Sequence, residues 1–305
     1  MPPAMAVPFL AQPDARMAKL DARPWAGGVA FVSCGVRLGV RVDDASILEQ
    51  LPFHLPPVRE LASTHEVDHL FSLCTRVGEP GSGPRLYEGP RLVRRSRGLE
   101  PEMLLDLLRS FFEFRIATHA SARLFVHAGV VEWHGRAILL PGRSRSGKTT
   151  LVTALLRAGA KHYSDEFAVL DDEGNVHPWA RPLRVRRPGL LPRSYPVESF
   201  GERAPQSSLP VGLIVVTEHR GGARWRPRAL TPGQALLALV RHTHVTRVQP
   251  DLTIRMLSRA VRGARALTSR RGEADEVALT LLSLDAAGES STETCEARPV
   301  GGRVE

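Results

Sequence analysis

The chain of 305 residues is poor in cysteine and contains no long apolar run. Its three cysteines, Cys34, Cys74 and Cys295, are too few and too widely spaced for a disulfide framework or a zinc site, which fits a reducing compartment. No apolar run reaches the ~18 residues that a membrane span needs. The N-terminus lacks the basic start and long apolar stretch of a signal peptide. We therefore expect a cytoplasmic protein with no membrane partner.

Lysine and aromatic residues are also scarce, yet the chain is basic. Lys and Arg together number 41 and Asp and Glu 32, which gives a net charge of +9, and only three of the basic residues are lysine. Arginine keeps its charge in any setting and holds phosphate or carboxylate in a fork. The balance favours an anionic partner, namely a nucleotide, a nucleic acid or an acidic peptide, unless it reflects only an arginine-rich genome. With 6% aromatic residues and no helix-turn-helix, zinc-finger or RNP-like signature, no specific nucleic-acid partner is expected.

The hydropathy pattern divides the chain into four segments. Residues 1–24 are rich in proline and are expected to form a flexible tail. Residues 25–120 combine short strands with helical patterns, the clearest being an amphipathic helix over 100–119, and predict a small α+β region. From 121 to 285, near-continuous apolar strands such as LFVHAGVVEW alternate with helices, as expected for a sheet buried on both faces. Residues 286–305 lack apolar periodicity and are expected to be a disordered tail.

One motif carries specific chemistry. The sequence GRSRSGKT at 142–149 matches G-x-x-x-x-G-K-[ST], the phosphate-binding P-loop, and lies between a predicted strand and a predicted helix. Its backbone N–H groups would bind phosphate oxygens, Lys148 would reach the β- and γ-phosphates, and Thr149 would ligate Mg²⁺. A chance strand–turn–helix rich in Gly and Ser is the alternative. The expected nucleotide-binding residues are Gly142, Arg143, Ser144, Arg145, Ser146, Gly147, Lys148, Thr149 and Thr150.

Phosphoryl transfer also requires a metal-binding carboxylate and a group that orients or deprotonates the acceptor. Asp165 and Glu166, in the run HYSDEF, are the nearest downstream candidates. As neighbours at the end of a short strand they point in different directions, so one could hold Mg²⁺ and the other accept a proton. A charged turn between strands is the alternative. Asp171 and Asp172 are more typical of a solvated hairpin tip.

Other polar residues carry weaker signals. His127 interrupts an apolar strand before the loop and is either a core histidine or a contact of the phosphate site. Glu218 follows the apolar strand VGLIVVT, which resembles a Walker B strand that ends in an acid. We favour the alternative, an ordinary buried strand that ends in a charged residue. His242 and His244 have a metal-ligand spacing without a third ligand nearby. Four arginines after the acid pair form either a clamp for phosphate or an acidic peptide, or a solvated face. They are Arg181, Arg184, Arg186 and Arg187.

The order and spacing of these motifs resemble a known family. His127-Ala-Gly129, the loop at 142–149, a helix ending at Gly159 and Ser164-Asp165-Glu166 are similar to the catalytic domain of HPr kinase/phosphorylase, and more so to the shorter HPr-kinase-like proteins encoded with peptide-modifying enzymes, including lasso-peptide kinases. The resemblance covers roughly 121–285. It implies an α/β fold with a P-loop kinase core of the HPr kinase and phosphoenolpyruvate carboxykinase type, preceded by the smaller α+β region. It also implies ATP and Mg²⁺ as cofactors, and the family's oligomers leave a homo-oligomer open.

The resemblance implies an ATP-dependent serine kinase. The γ-phosphate would pass to a Ser or Thr hydroxyl of a peptide or protein, such as a ribosomally made peptide that is being tailored. Asp165 falls at the family's general base, Glu166 at the neighbouring acid and His127 at a histidine near the phosphates. Glu166 departs from the usual second aspartate, and the glycine-rich stretch of the bifunctional enzymes is missing, which argues against phosphorylase activity and against HPr as the substrate. A non-catalytic nucleotide-binding partner or regulatory protein is the alternative.

Overall fold

The protein is a mixed α/β chain made of two compact units that meet in sequence between Arg123 and Leu124. The computed structural model describes the residues 15–62, 66–75, 83–95, 101–143, 146–185, 193–243, 245 and 248–289. None of the helices in these ranges combines the length and the apolar character needed to cross a membrane.

The first unit consists of a six-stranded sheet, three α-helices and a 3₁₀ turn over Leu51–His54. The strands are β1 (Gly27–Ser33), β2 (Val36–Val42), β3 (Glu60–Leu61), β4 (His69–Cys74), β5 (Arg85–Glu88) and β6 (Arg91–Arg95). The helices are α1 (Ala15–Asp21), α2 (Ala45–Gln50) and α3 (Pro101–His119). The strand order is β3-β1-β2-β4-β5-β6, with β2 and β4 parallel and the other neighbours antiparallel.

Local sequence features account for several elements of this unit. The tight turn between β1 and β2 has both central residues at positive φ, 50° for Cys34 and 81° for Gly35. Helix α2 begins after Asp44, whose carboxylate accepts the Ser46 N–H at 2.8 Å. The predicted amphipathic helix is α3, and its Phe112 ring packs edge-on against two sheet phenylalanines at 5.3–5.4 Å.

Helix α1 differs from the flexible tail expected over residues 1–24. Met17 and Leu20 are almost fully buried and pack with Leu70 and Cys74 of β4. Burial of apolar side chains therefore outweighs the irregularity that the surrounding prolines favour. Residues 1–14 lie outside the described ranges.

The second unit carries the predicted phosphate-binding loop on an eight-stranded sheet, beside a two-stranded ribbon and a 3₁₀ turn over Val197–Ser199. The sheet strands are β7 (Leu124–Trp133), β8 (Arg136–Pro141), β9 (Lys161–Ser164), β10 (Phe167–Leu170), β11 (Val176–His177), β14 (Val211–His219), β15 (Arg228–Ala229) and β16 (Arg265–Arg271). The ribbon pairs β12 (Leu183–Val185) with β13 (Arg193–Tyr195). The helices are α4 (Lys148–Arg157), α5 (Pro232–Val240), α6 (Pro250–Arg262) and α7 (Ala274–Glu289).

The strand order decides what lies near the loop. The sheet runs β11-β10-β7-β8-β14-β16-β15, and β9 also pairs with β7. β14 is parallel to both β8 and β16, and the other pairs are antiparallel. The loop that leaves β8 is therefore flanked by β7 and the β9–β10 turn on one side and by the ends of β14 and β16 on the other.

The sheet is covered on both faces, as its continuous apolar strands predict. Val130 and Leu139 face a cluster completed by α5 and α6, which includes Met256. The adjacent residues on the same two strands, Val131 and Ile138, face a second cluster completed by α4 and α7. The alternation of side chains along a strand thus divides one apolar sequence between two cores.

Helix α7 continues to Glu289, beyond the start of the tail expected from residue 286. The tail residues from 290 onwards lie outside the described ranges. The apolar side chains that attach the helix, Val277, Leu281 and Leu282, all precede this extension. Helical hydrogen bonding therefore propagates past the last periodic apolar residue that the sequence pattern can detect.

We expect His162 to make stability depend on pH. This β9 side chain is 1% exposed, and both its ring nitrogens lack a hydrogen-bond partner among the described residues. Burial, with Arg203 nearby, lowers its pKa from 6.5 to about 4, and Glu198 opposes this shift. Because the unfolded chain binds the proton more tightly, the stability is complete above pH 6.5 and falls as the pH falls towards 4. Replacement of His162 by leucine should reduce this slope by up to about 1.4 kcal/mol per pH unit.

Urea unfolding between pH 4.5 and 8 measures both slopes. Equal slopes in the wild type and the His162→Leu variant would contradict a neutral buried histidine.

Candidate functional site

The loop that follows β8 depends on glycine at both ends. Gly147, the residue before α4, has φ +87°, and a Cβ there would lie 2.5 Å from a guanidinium nitrogen of Arg271. A Cβ on Gly142 would lie 2.6 Å from the Ser146 hydroxyl oxygen. The left-handed conformation at Gly147 therefore favours glycine, whereas a larger residue at 142 requires the Ser146 side chain to move. Ser144 and Arg145 lie outside the described residues.

Lys148 is the first residue of α4, and its ammonium group folds back over the loop. Nζ donates to the carbonyl oxygen of Gly142 at 2.7 Å and to that of Arg143 at 3.0 Å. Burial lowers the pKa of Lys148, and the nearby carboxylates of Glu166 and Asp165 oppose the shift. A cation is thus held inside the loop, within the field of the two predicted acids.

The acid pair lies in a tight turn between β9 and β10. The Ser164 hydroxyl oxygen accepts the N–H groups of Glu166 at 3.3 Å and of Phe167 at 3.0 Å, which fixes the turn. Asp165 is 5% exposed, whereas the side chain of Glu166 is 44% exposed. The two neighbouring carboxylates therefore occupy different environments, one buried and one open to solvent.

His127 connects this turn with the loop. It lies opposite Phe167 in the β7–β10 register, and its Nε2 is 3.2 Å from Oε2 of Glu166. Its carbonyl oxygen accepts the N–H of Gly142 at 3.3 Å, and its own N–H donates to the carbonyl of His242 at 2.8 Å. One strand residue therefore contacts the acid pair through its side chain and the loop through its backbone.

The first turn of α4 presents the two predicted threonines. Thr149 is half-buried, its carbonyl oxygen accepts the Thr153 hydroxyl at 2.7 Å, and Thr150 is exposed. Mg²⁺ takes oxygen ligands and usually keeps waters and substrate phosphates beside one or two carboxylates. A threonine hydroxyl and Glu166 suit that ion, and the buried Ser146 hydroxyl oxygen has no described partner in the loop. The residues present therefore fit a metal-bound polyphosphate.

The remaining candidates lie elsewhere or take structural roles. Asp171 accepts turn N–H groups at the β10–β11 hairpin, and the neighbouring Asp172 pairs with Arg255 and Arg259, as expected of a hairpin tip. Burial, with positive charges nearby, lowers the pKa of His242 to about 4. His244 is outside the described residues, within which no group of three or more His, Cys, Asp or Glu side chains could hold a metal.

Arg271 is a site residue that sequence reasoning does not find. It is 1% exposed at the end of β16 and donates to the carbonyl oxygens of Gly147 at 2.8 Å and of Gly272 at 3.0 Å. Burial lowers the pKa of this guanidinium, opposed by Glu273. It contacts the last glycine of the loop from a position 124 residues further along the chain, which no local pattern indicates.

A cleft of about 820 Å³ opens beside the loop, between Arg143 and the ends of β14 and β16. Six exposed arginines and one carboxylate, Glu218, line it. The arginines are Arg143, Arg224, Arg226, Arg228, Arg241 and Arg270. The predicted arginine cluster is a different set, of which Arg181 is buried, Arg184 lies on β12, and Arg186 and Arg187 are outside the described residues. The usable signal is the alternation RWRPR at 224–228.

Comparison with solved structures finds similar chains, whereas the sequence comparisons find no match. No protein-family model matches the chain, and no curated protein matches it in sequence. The HPr(Ser) kinase/phosphatase from Coxiella burnetii is similar over 55% of this chain and 98% of its own, with 15% sequence identity and a TM-score of 0.32. At this similarity the alignment assigns no individual residue of the site.

We expect Arg271 to tether the end of the loop, at the start of α4, to β16. Methionine has a long side chain that cannot donate, so this replacement removes both hydrogen bonds. The amides of residues 146–151 should then exchange with solvent at least about tenfold faster. Hydrogen exchange with mass spectrometry measures this. Arg265→Met, on an exposed residue at the other end of β16, is the matched control. Equal exchange in the two variants would contradict the tether.

Proposed function

We propose that this chain is an ATP- and Mg²⁺-dependent kinase that transfers the γ-phosphate to a serine or threonine hydroxyl of a peptide or protein. The observation that carries the proposal is the grouping of Lys148, Asp165, Glu166 and His127 around one glycine-bounded loop. A buried ammonium with adjacent carboxylates at the start of a helix suits a polyphosphate bound with a divalent cation.

The loop supplies binding and charge neutralisation. Its backbone N–H groups and the start of α4 attract phosphate oxygens, and Lys148 can exchange its loop carbonyls for the β- and γ-phosphates. Thr149 and Glu166 would hold Mg²⁺, which neutralises charge on the phosphates when it is bound. His127, in contact with Glu166, orients that carboxylate. Arg271, which donates to the Gly147 carbonyl oxygen, is a positioning residue for the end of the loop.

The reaction itself requires one proton acceptor. Asp165, the buried member of the acid pair, takes the proton of the acceptor hydroxyl as that oxygen forms a bond to the γ-phosphorus. The bond between the γ-phosphorus and the bridging oxygen breaks, and ADP leaves with the electron pair. Catalysis in this class comes mostly from positioning and electrostatic stabilisation, which a preorganised loop provides.

We expect Lys148→Met to weaken nucleotide binding. The variant removes a charge-assisted contact worth about 1.5–3 kcal/mol, so the Kd for ATP with Mg²⁺ should rise about tenfold to a hundredfold. Isothermal titration calorimetry measures this. Lys161→Met, at the start of β9, is the control and should bind as the wild type does. Tight nucleotide binding by the Lys148 variant would contradict the loop assignment.

We expect Asp165→Asn to separate binding from transfer. The amide cannot accept the proton, so transfer should fall by about 10²–10⁴-fold while the Kd for ATP changes by less than about twofold. The assay measures phosphate incorporation from labelled ATP into a pool of synthetic serine- and threonine-containing peptides. Asp172→Asn, at the hairpin tip, is the matched control and should retain full activity.

Two results would count against this mechanism. Transfer at the wild-type rate by the Asp165→Asn variant refutes the base assignment. Nucleotide binding by the wild type without phosphate on any member of the pool favours the alternative, a non-catalytic nucleotide-binding partner or regulatory protein.

A further inference from the structure

The cleft beside the loop concentrates positive charge, and of its six arginines only Arg143 belongs to the expected nucleotide-binding residues. Six exposed guanidinium groups face one carboxylate, Glu218, in about 820 Å³. None of the six forms an ion pair with a carboxylate of the described residues. Elsewhere in the same unit, Arg255 and Arg259 share Asp172, and Arg203 pairs with Glu198. The cleft therefore stands out as a site whose counter-charge must come from a ligand.

The arginines are held on a fixed backbone. Trp225 packs against the core cluster under α4 and α7, so its neighbours Arg224 and Arg226 face the cleft. The N–H of Arg226 donates to the Ser269 hydroxyl at 3.0 Å, and Arg228 lies in β15, paired with β16. The three guanidinium groups thus start from an anchored segment, which reduces the entropy lost when they bind a ligand.

The spacing of these arginines favours an extended acidic peptide. Alternate residues of an extended chain lie about 6.6 Å apart, so side chains at every second position share one face. A peptide with Asp or Glu at every second residue repeats at the same interval. Phosphates joined through a shared oxygen lie much closer together than this. The alternation of the arginines along the sequence therefore matches carboxylates at alternate residues of a peptide.

The remaining lining argues against nucleic acid. No tryptophan, tyrosine or phenylalanine lines the cleft within the described residues, so bases would find no stacking surface except the imidazole of His242. The hydroxyl-bearing residues Thr217, Thr268 and Ser269 also line the cleft. The volume falls in the range of sites that enclose a small ligand or a short stretch of chain.

The strand order separates the two charge environments. The carboxylates of Asp165 and Glu166 lie on the β7 side of the loop. Four of the six arginines lie on the β16 side, whereas Arg143 belongs to the loop and Arg241 adjoins His242, whose carbonyl oxygen accepts the N–H of His127. An acidic segment is repelled on the first side and attracted on the second. A peptide that crosses the loop is thereby oriented, with its hydroxyl towards Asp165 and its acidic residues in the cleft.

We propose that the arginine cleft binds an acidic segment of the acceptor peptide, one with carboxylates at alternate residues. The acceptor role rests on the kinase function proposed above, but binding of the segment requires neither nucleotide nor transfer. The site therefore reads the residues around the acceptor hydroxyl through carboxylate–guanidinium forks.

Peptide binding without nucleotide tests the proposal directly. Fluorescence anisotropy compares a labelled peptide of alternating Glu and Ser with the same peptide carrying Gln in place of Glu. The triple variant Arg224→Gln, Arg226→Gln, Arg228→Gln should bind the acidic peptide about tenfold more weakly or worse, and the wild-type affinity should fall with added salt. The control triple variant Arg193→Gln, Arg262→Gln, Arg265→Gln removes equal charge from exposed positions outside the cleft and should bind as the wild type does.

Calorimetry with ATP and Mg²⁺, and with inorganic tripolyphosphate, completes the test. The cleft variant should keep the wild-type affinity for both within about twofold. Loss of tripolyphosphate or ATP binding with peptide binding unchanged would assign the cleft to the phosphate donor and overturn the proposal. Equal weakening in the two triple variants, or no wild-type binding of the acidic peptide, would also overturn it. If the proposed kinase function is wrong, the transfer assay shows no phosphate on any peptide. The binding measurements do not depend on transfer, so the two failures can be told apart.

Discussion

The ammonium group of Lys148 lies against two carbonyl oxygens of the loop that precedes its own helix, and the arrangement of the site depends on this contact. A buried cation is costly unless polar groups compensate it. Here the compensation comes from the carbonyls of Gly142 and Arg143 and from the field of Asp165 and Glu166. An anion bound in the loop would supply the same compensation in place of the carbonyls.

The position of β8 in the sheet converts that local contact into a site with two sides. β7 brings His127 and, through its register with β10, the acid turn to one side of the loop. Parallel pairing of β14 with β8 and β16 brings Arg271, Glu218 and the arginine cleft to the other. A single loop therefore lies between a carboxylate environment and a guanidinium environment, and any ligand that crosses it meets both.

Sequence reasoning finds the parts of this site that depend on short-range patterns. The strand before the loop, the helix at Lys148 and the turn at Asp165 follow from apolar runs, glycines and the Ser164 turn, all within a few residues. The structure places these residues together, while their catalytic roles stay predictions. Arg271 and the cleft arginines other than Arg143 lie outside this reach, because the packing of distant segments brings them to the loop. Helix α1 shows the converse, since tertiary burial overrides a proline-rich composition.

The use of lysine and arginine follows from these environments. Only a compact ammonium, with three donors at one atom, can point at two neighbouring carbonyls and still be reached by a phosphate, and Lys148 occupies that position. Arg271 needs a planar fork because its two acceptors, on Gly147 and Gly272, lie on separate segments. In the cleft, guanidinium groups retain their charge when a ligand excludes water, whereas burial already lowers the pKa of Lys148. In this arginine-rich chain, lysine therefore occupies the loop position that suits a compact ammonium, and arginine occupies the positions that suit a planar group with several donors.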